Sequence, residues 1–573
     1  MSCIPNTTAI GKVGTTSYPT HVEIVSKHPI PIGTYIAIPF KSLDITTGGS
    51  IDCCAIGVIS STSYRRLLPI SPTSTASESI GIEDDMLRYS PSQARLVALI
   101  CSRGDGETTI KVPNVPPPPD SEVFLASAEV LSELFSCRKE SSIKIGHLLT
   151  RPEVEIYVDI NALAKHLFIT GTTGSGKSNT VAVLADRIAS YGGTVIIFDV
   201  HGEYWNLDVS NIEKVRLIPI EYKINPLEIP PRILARMIIP EGGATIQRML
   251  TTKALTITQK IFKELKSKYG LNEKALEYLP QVAKEVLAKT KEQVSLNPQI
   301  FDYPRGEEEE ARPSIDDALV NTFKEFVKNF IIGSKLGSSS DREPIQKACI
   351  KVEEFFENAA ISFGIPNIGS LIAPSTLIVL NVSILSDEQK DYVLKVVLDE
   401  LLWNIKHSYF LGKPQPVMVF IEEAHLFLSN TISTVSRYSI ERVAREGRKF
   451  GLALGIVSQR PRNIDMNTLS QVQNFVFMKL VQEADQQSIM NASDMLTEDL
   501  ARSLATIGQG EALVLGEWVG RFPVFVKIDK HEGKKIGVTL DIASIWRSHS
   551  FSTPVEKYSG LSEASKDFEE LFS

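Results

Sequence analysis

The sequence predicts an α/β protein with a small β-rich domain ahead of its sheet and a helical bundle inserted into it. Three observations carry that prediction. A glycine-rich stretch, Gly171-Thr172-Thr173-Gly174-Ser175-Gly176-Lys177-Ser178, lies between an apolar strand, Leu167-Phe168-Ile169, and a helix running from Asn179 to Ala189. A second apolar strand, Val417 to Ile421, ends in two acids, Glu422 and Glu423. From about residue 231 to 363 the apolar residues recur with helical spacing, as at Ile257, Ile261 and Leu265. The 573 residues divide accordingly into a β-domain (1–150), an α/β core (151–230 and 364–543), the inserted bundle (231–363) and a tail (544–573).

In the first domain Ala9 to Gly14, His21 to Ser26, Tyr35 to Phe40, Ile51 to Ser60 and Ala94 to Cys101 are short, β-branched runs separated by Pro, Gly and Ser. That density of short strands predicts a small barrel or sandwich. No catalytic cluster stands out there, which favours an assembly or docking role. Net charge is −8, which argues against an all-over basic coat but leaves room for a local basic surface. The six cysteines, Cys3, Cys53, Cys54, Cys101, Cys137 and Cys349, show no C-x-x-C spacing, so neither a zinc site nor a disulfide framework is expected. Without a signal-peptide pattern or a membrane-length apolar run, a cytoplasmic protein is expected.

The stretch from Gly171 to Ser178 reads G-x-x-x-x-G-K-S. Between a strand and a helix this is a phosphate-binding loop, because the glycines let backbone N–H groups curl round phosphates and the helix start adds positive potential. Gly174, Ser175, Gly176, Lys177, Ser178 and Asn179 are the expected nucleotide contacts. Lys177 reaches the β- and γ-phosphates, and Ser178 ligates Mg²⁺. The strand Thr194 to Phe198 leads into Asp199, expected on a strand next to the loop's own. There the acid either serves Mg²⁺ or the attacking water, or only caps its loop. Glu422 is expected to hold Mg²⁺ through water, with Glu423 orienting or deprotonating the attacking water. The strand Leu452 to Val457 presents Gln459 to the γ-phosphate, and Ile440 to Phe450 is a helix carrying Arg442, Arg445, Arg448 and Lys449. Later strands, Phe475 to Leu480, Ala512 to Gly516 and Phe522 to Ile528, complete a mostly parallel sheet.

The ordered set G-T-T-G-S-G-K-S-N-T, D-V-H-G-E-Y, I-N-P-L (Ile224–Leu227), F-I-E-E-A-H, E-G-R-K-F-G and S-Q-R-P resembles the archaeal HerA proteins, of the FtsK–HerA branch of RecA-like motor ATPases. The resemblance covers nearly the whole chain. It implies a RecA-like ATPase core that uses ATP and Mg²⁺. It implies a hexameric ring moving along duplex DNA as a bidirectional helicase, and work with the NurA nuclease, alongside Mre11 and Rad50, in end resection for recombinational repair. It implies an N-terminal barrel similar to that of ATP synthase subunits (HAS-like), facing the nuclease. A tail bracing a neighbouring subunit is expected as well. By matching motif, Lys177, Asp199, Glu423, Gln459 and Arg448 are the catalytic set, with Arg448 as a finger acting in trans. Lys165 stands where relatives often carry a nucleotide-contacting arginine, and its point charge lacks the arginine fork. The competing readings are a secretion or conjugation ATPase of the VirB4 or TraG type, against which the missing membrane segment and the barrel weigh, and a non-motor nucleotide switch.

Overall fold

The computed structural model describes residues 8–43, 48–66, 88–102, 108–135, 140–240, 242, 244–290, 314–334, 342–520 and 522–533. The tail from 544, Cys3 and Cys137 lie outside the described residues. The first sheet contains β1 (Gly11–Ser17), β2 (His21–Ser26), β3 (Tyr35–Leu43), β4 (Ser50–Thr62), β5 (Arg65–Arg66), β6 (Arg88–Ser102), β7 (Thr108–Lys111) and β8 (Glu122–Leu125). Its order β2-β1-β8-β3-β4-β6 closes on itself because β6 also pairs with β2, giving a six-stranded barrel with β5 and β7 appended to β6. Closure leaves those six strands no free edge. Alternate residues such as Val22, Ile24, Ile36, Ile38, Ala55 and Ala94 fill the interior.

The expectation of no disulfide is overturned here. Cys53 and Cys101 are direct partners in the antiparallel β4–β6 register and are joined by a disulfide, and Cys54 is disulfide-bonded too. Sequence spacing hid the pair because 48 residues separate its members, while the register sets their Cα atoms 4.1 Å apart. Cys349 is the free cysteine among the described residues.

After helix α1 (Ala128–Phe135) the second sheet begins with β9 (Ser142–Leu148) and β10 (Arg151–Asp159). The expected domain boundary at 150 therefore falls inside a hairpin that belongs to the core. The chain continues through β11 (Leu167–Thr170), α2 (Lys177–Tyr191), β12 (Thr194–Asp199) and β13 (Arg216–Glu221). The bundle follows: α3 (Pro231–Ile238), α4 (Thr245–Tyr269), α5 (Glu273–Thr290), α6 (Ile315–Ile332) and α7 (Arg342–Asn358). The core resumes with β14 (Thr376–Asn381), α8 (Asp387–Phe410), β15 (Val417–Ile421), α9 (Arg437–Phe450), β16 (Leu452–Ser458), β17 (Asn474–Phe477), β18 (Glu511–Gly516) and β19 (Val524–Ile528).

Among the described residues, eleven strands run in the order β10-β9-β19-β18-β17-β11-β16-β15-β12-β14-β13. From β17 to β13 every pairing is parallel, while β18, β19, β9 and β10 extend the sheet in antiparallel fashion. The strands β11, β12, β14, β15, β16 and β17 are buried along their whole length, as helix-covered parallel strands must be, which explains their unbroken apolar runs. Pro219 sits in β13, an edge strand, where a missing donor is tolerated.

The bundle hangs between β13 and β14 on a clamp built from I-N-P-L. Asn225 donates to the carbonyls of Phe363 and Ile365 (3.2 and 3.1 Å), and Gln259 of α4 donates to those of Pro226 and Ile229 (2.6 and 2.8 Å). Phe262, Phe323, Phe326, Phe356 and Phe363 form its aromatic centre. The barrel packs on the core through Tyr35, whose hydroxyl donates to the Pro523 carbonyl at 3.2 Å, and Arg95, which donates to the Met495 carbonyl at 2.8 Å.

Candidate nucleotide site

The parallel strands all end on one edge of the sheet, and the loops beyond that edge build the site. The loop after β11 enters α2 with Gly176 at φ 112°, a left-handed conformation that disfavours any side chain. A Cβ there would also come within 3.1 Å of Met478 and 3.2 Å of the Gly510 backbone. Lys177 turns back onto its own loop and donates to the carbonyls of Gly171 and Thr172 at 2.9 and 3.1 Å. Burial pushes its ammonium below the ordinary lysine range, against the pull of Glu423, Glu422 and Glu203.

The strand next to β11 is β16, followed by β15 and then β12. Asp199 therefore ends the third strand from the loop strand, not the adjacent one. Its Oδ1 accepts from the N–H groups of Gly202 (2.8 Å) and Glu203 (3.1 Å), and its Oδ2 from that of Tyr204 (2.9 Å). Of the two roles left open by the sequence, the observed one is the loop cap: Asp199 fixes the turn D-V-H-G-E-Y. Burial raises its carboxyl, and those N–H groups oppose the rise.

That turn delivers two side chains to which the sequence reading assigned no role. The Ser178 hydroxyl donates to Glu203 Oε2 at 2.7 Å, and the Tyr204 hydroxyl donates to Glu422 Oε1. Both lie in D-V-H-G-E-Y, and an acid four residues past a strand-end aspartate was the available signal. Glu422, at the end of β15, is buried. Its carboxyl is pushed up to about 8, first by burial and then by Glu203, Glu423 and Asp199, with Tyr204 opposing. Glu423 adopts φ 45°, ψ 43°, a left-handed conformation costly for a non-glycine residue and typical of functional turns. Burial raises its carboxyl too, but His425, Lys177 and His201 together hold it below the ordinary range. His425 Nδ1 lies 3.1 Å from Glu423 Oε2, a buried oxygen that completes no hydrogen bond. Gln459, just past β16, accepts from the Thr173 hydroxyl of the phosphate loop at 2.7 Å.

Two expected nucleotide contacts, Asn179 and Lys165, have other partners, while Arg448 is the residue expected to act in trans. Asn179 spends its side-chain amide on the chain beyond β19, donating to the Asp529 carbonyl and accepting from the His531 N–H, both at 2.9 Å. It braces α2 and is not free for nucleotide. Lys165 precedes β11, so it stands at the opposite edge of the sheet from the loop that follows β11, and it pairs with Glu517. Arg448, in the last turn of α9 just ahead of β16, is exposed at that same far edge. His166 holds α9 there, donating from Nε2 to the Ala444 carbonyl (2.9 Å) and accepting from Leu454 N–H (3.0 Å). Burial, with Arg448 adding, keeps the His166 ring below its ordinary range despite the Ala444 bond.

The donor set fits a divalent ion carried with a triphosphate. Glu203, Glu422 and Glu423 gather by Lys177, and Glu423 Oε2 completes no hydrogen bond. Among the described residues no three His, Cys, Asp or Glu side chains make a metal cage of their own. Mg²⁺ sites commonly rely on phosphate oxygens for the remainder.

A phosphate loop, a strand-end acid pair and a glutamine bonded to the loop, on one edge of a parallel sheet, define a RecA-like P-loop ATPase. The DNA double-strand break repair helicase HerA of Saccharolobus solfataricus is 30% identical over 546 residues, covering 93% of this chain and 95% of that protein. The chain belongs to the HerA helicase family and is an ATP-hydrolysing helicase. The HerA of Sulfurisphaera tokodaii is 34% identical over 456 residues, 79% of this chain and 81% of that one. The family model for the central domain of helicase HerA matches residues 143–401. Among solved structures, VirB4 of Thermoanaerobacter pseudethanolicus superposes with a TM-score of 0.44 at 16% identity, covering 68% of this chain and 97% of that one. Among the described residues no helix is long and apolar enough to cross a membrane.

Proposed function

We propose that this chain is one subunit of a ring, six copies by the family resemblance, that moves along duplex DNA on ATP hydrolysis in double-strand break repair. The observation that carries the reading is the position of Arg448, exposed at the sheet edge opposite its own phosphate loop. Within one chain that guanidinium serves no phosphate. Supplied to the next copy, it neutralises charge on the transferred phosphoryl, and such fingers are worth about 10³–10⁵ in rate. Hydrolysis then depends on assembly, which suits a motor.

At each site Lys177 leaves its loop carbonyls for the β- and γ-phosphates, and Gln459, held by Thr173, faces the γ-phosphate. Glu423, whose Oε2 completes no hydrogen bond and lies 3.1 Å from His425 Nδ1, holds the attacking water. Mg²⁺ would neutralise the phosphates when bound, with Ser178 of the loop placed to hold it. The finer reading follows the family resemblance: bidirectional movement, cooperation with the NurA nuclease and Mre11–Rad50 in end resection, and a barrel facing the nuclease.

The test is ATP hydrolysis with and without linear duplex DNA, beside a mass determination in solution. A ring-sized particle whose turnover rises several-fold with DNA is expected. A monomer whose turnover ignores DNA would overturn the motor reading.

A further inference from the structure

A serine that ligates a metal from a phosphate loop lends the ion an oxygen lone pair, so its proton needs an acceptor that points the lone pair the right way. In P-loop sites the acid that shares this metal comes from the strand-end acid motif. Here that position is Glu422, but the geometry gives the Ser178 proton to another carboxylate. Ser178 Oγ donates to Glu203 Oε2 at 2.7 Å, while Glu422 Oε1 is occupied by the hydroxyl of Tyr204, a fully buried side chain.

We propose that Glu203 is the metal-side acid of the phosphate site, the carboxylate that orients Ser178 and receives the divalent ion or one of its waters, with Glu422 standing behind it. One residue sets both positions. Asp199 accepts from the N–H groups of Gly202, Glu203 and Tyr204, so the same turn aims Glu203 at Ser178 and Tyr204 at Glu422. Gly202, at φ 76°, lets the chain reverse there. Glu203 is half-buried, so its carboxylate reaches both the loop and the phosphate side, whereas Glu422 is buried against the tyrosine. A hard, oxygen-seeking ion of the Mg²⁺ class suits a half-buried carboxylate beside a serine and phosphates.

This assignment rests on the nucleotide-site reading, and the experiment separates the two. The affinity for mant-ADP is measured by fluorescence with and without Mg²⁺ in the full-length protein and in Ser178→Ala, Glu203→Gln, Glu203→Asp and Glu422→Gln. Glu203→Gln is expected to lose the Mg²⁺-dependent gain by about 10–100-fold, the scale of a lost metal-orienting group. Ser178→Ala loses it likewise, Glu203→Asp recovers part of it, and Glu422→Gln keeps most of it. Affinity without Mg²⁺ stays level across the series, which also certifies folded sites. The spin-resonance signal of bound Mn²⁺ in the presence of ADP is expected to weaken in Glu203→Gln in the same proportion. A Glu203→Gln protein with the full Mg²⁺ gain, or a Glu422→Gln protein that loses it equally, overturns the assignment while leaving the nucleotide reading intact. Wild-type protein that binds no mant-ADP in either condition overturns both.

Discussion

In the proposed ring the two edges of the central sheet carry opposite halves of one chemistry. At the edge where the parallel strands end, Glu203, Glu422 and Glu423 surround Lys177 and Ser178, and most of the polar groups already have partners within the chain. At the edge where those strands begin, Arg448 is exposed and Lys165 pairs with Glu517. The first edge is acidic and enclosed, the second cationic and outward-facing. A site divided this way works when the cationic edge of one copy meets the acidic edge of the next. That is a head-to-tail contact, which builds a ring when the rotation between copies closes.

The sharpest way to break this comparison is to remove the outward cation. Arg448→Ala is expected to leave mant-ADP binding in place and lower ATP turnover by about 10³–10⁵. Mixed with Glu423→Ala subunits, it should recover part of the activity, because some interfaces then pair an intact Glu423 with an intact Arg448. No recovery at any mixing ratio would mean that both edges serve the same subunit, and the comparison fails.

How much of this could be read from the residues follows the same division. The phosphate loop and the acid pair are local patterns, so Lys177, Ser178, Glu422 and Glu423 were in view before any fold was known. The helical insertion was visible because its apolar spacing differs from that of strands. Long-range pairing is what hid the rest. Asn179 looks like a nucleotide contact until Asp529 and His531, some 350 residues on, take its amide. Strand order placed β16 and β15 between β11 and β12, which moved Asp199 away from the loop. Barrel register joined Cys53 to Cys101. Glu203 and Tyr204 stand in D-V-H-G-E-Y, but which partner each meets depends on the three hydrogen bonds that Asp199 accepts.

A smaller effect sharpens the acidic edge. The Glu422 carboxyl rises from 4.5 to about 8 in the ligand-free fold. An acid whose folded value is raised binds its proton more tightly folded than unfolded. Its contribution to stability is complete below the ordinary value and is lost as pH climbs through about 8. The thermal midpoint of ligand-free wild type should therefore fall relative to Glu422→Gln as pH rises from about 5 to about 9, since Gln mimics the protonated acid. The measurement is calorimetry of both proteins across that range. Parallel curves would show that Glu422 stays ionised, and that the enclosed edge is wetter than its burial implies.

The smallest effect belongs to Lys165, and it asks whether the cationic edge holds one working group or two. Its pair with Glu517 is half open to solvent, the lysine side chain being 20% and the glutamate 58% exposed. Exposed pairs are worth about 0–1 kcal/mol, so Lys165→Ala should shift stability by no more than that. A lysine that only bridges β11 to the end of β18 leaves nucleotide affinity untouched in every assembly state. One that also reaches a neighbour's phosphates must, when removed, weaken mant-ADP binding several-fold in the assembled protein and not in dissociated subunits. Glu517→Gln separates the cases further, because it frees the ammonium without deleting it. If affinity rises in Glu517→Gln and falls in Lys165→Ala, the far edge presents two cations to the next copy. If neither moves, Arg448 carries that edge alone, and the point charge standing in the family's arginine position is structural.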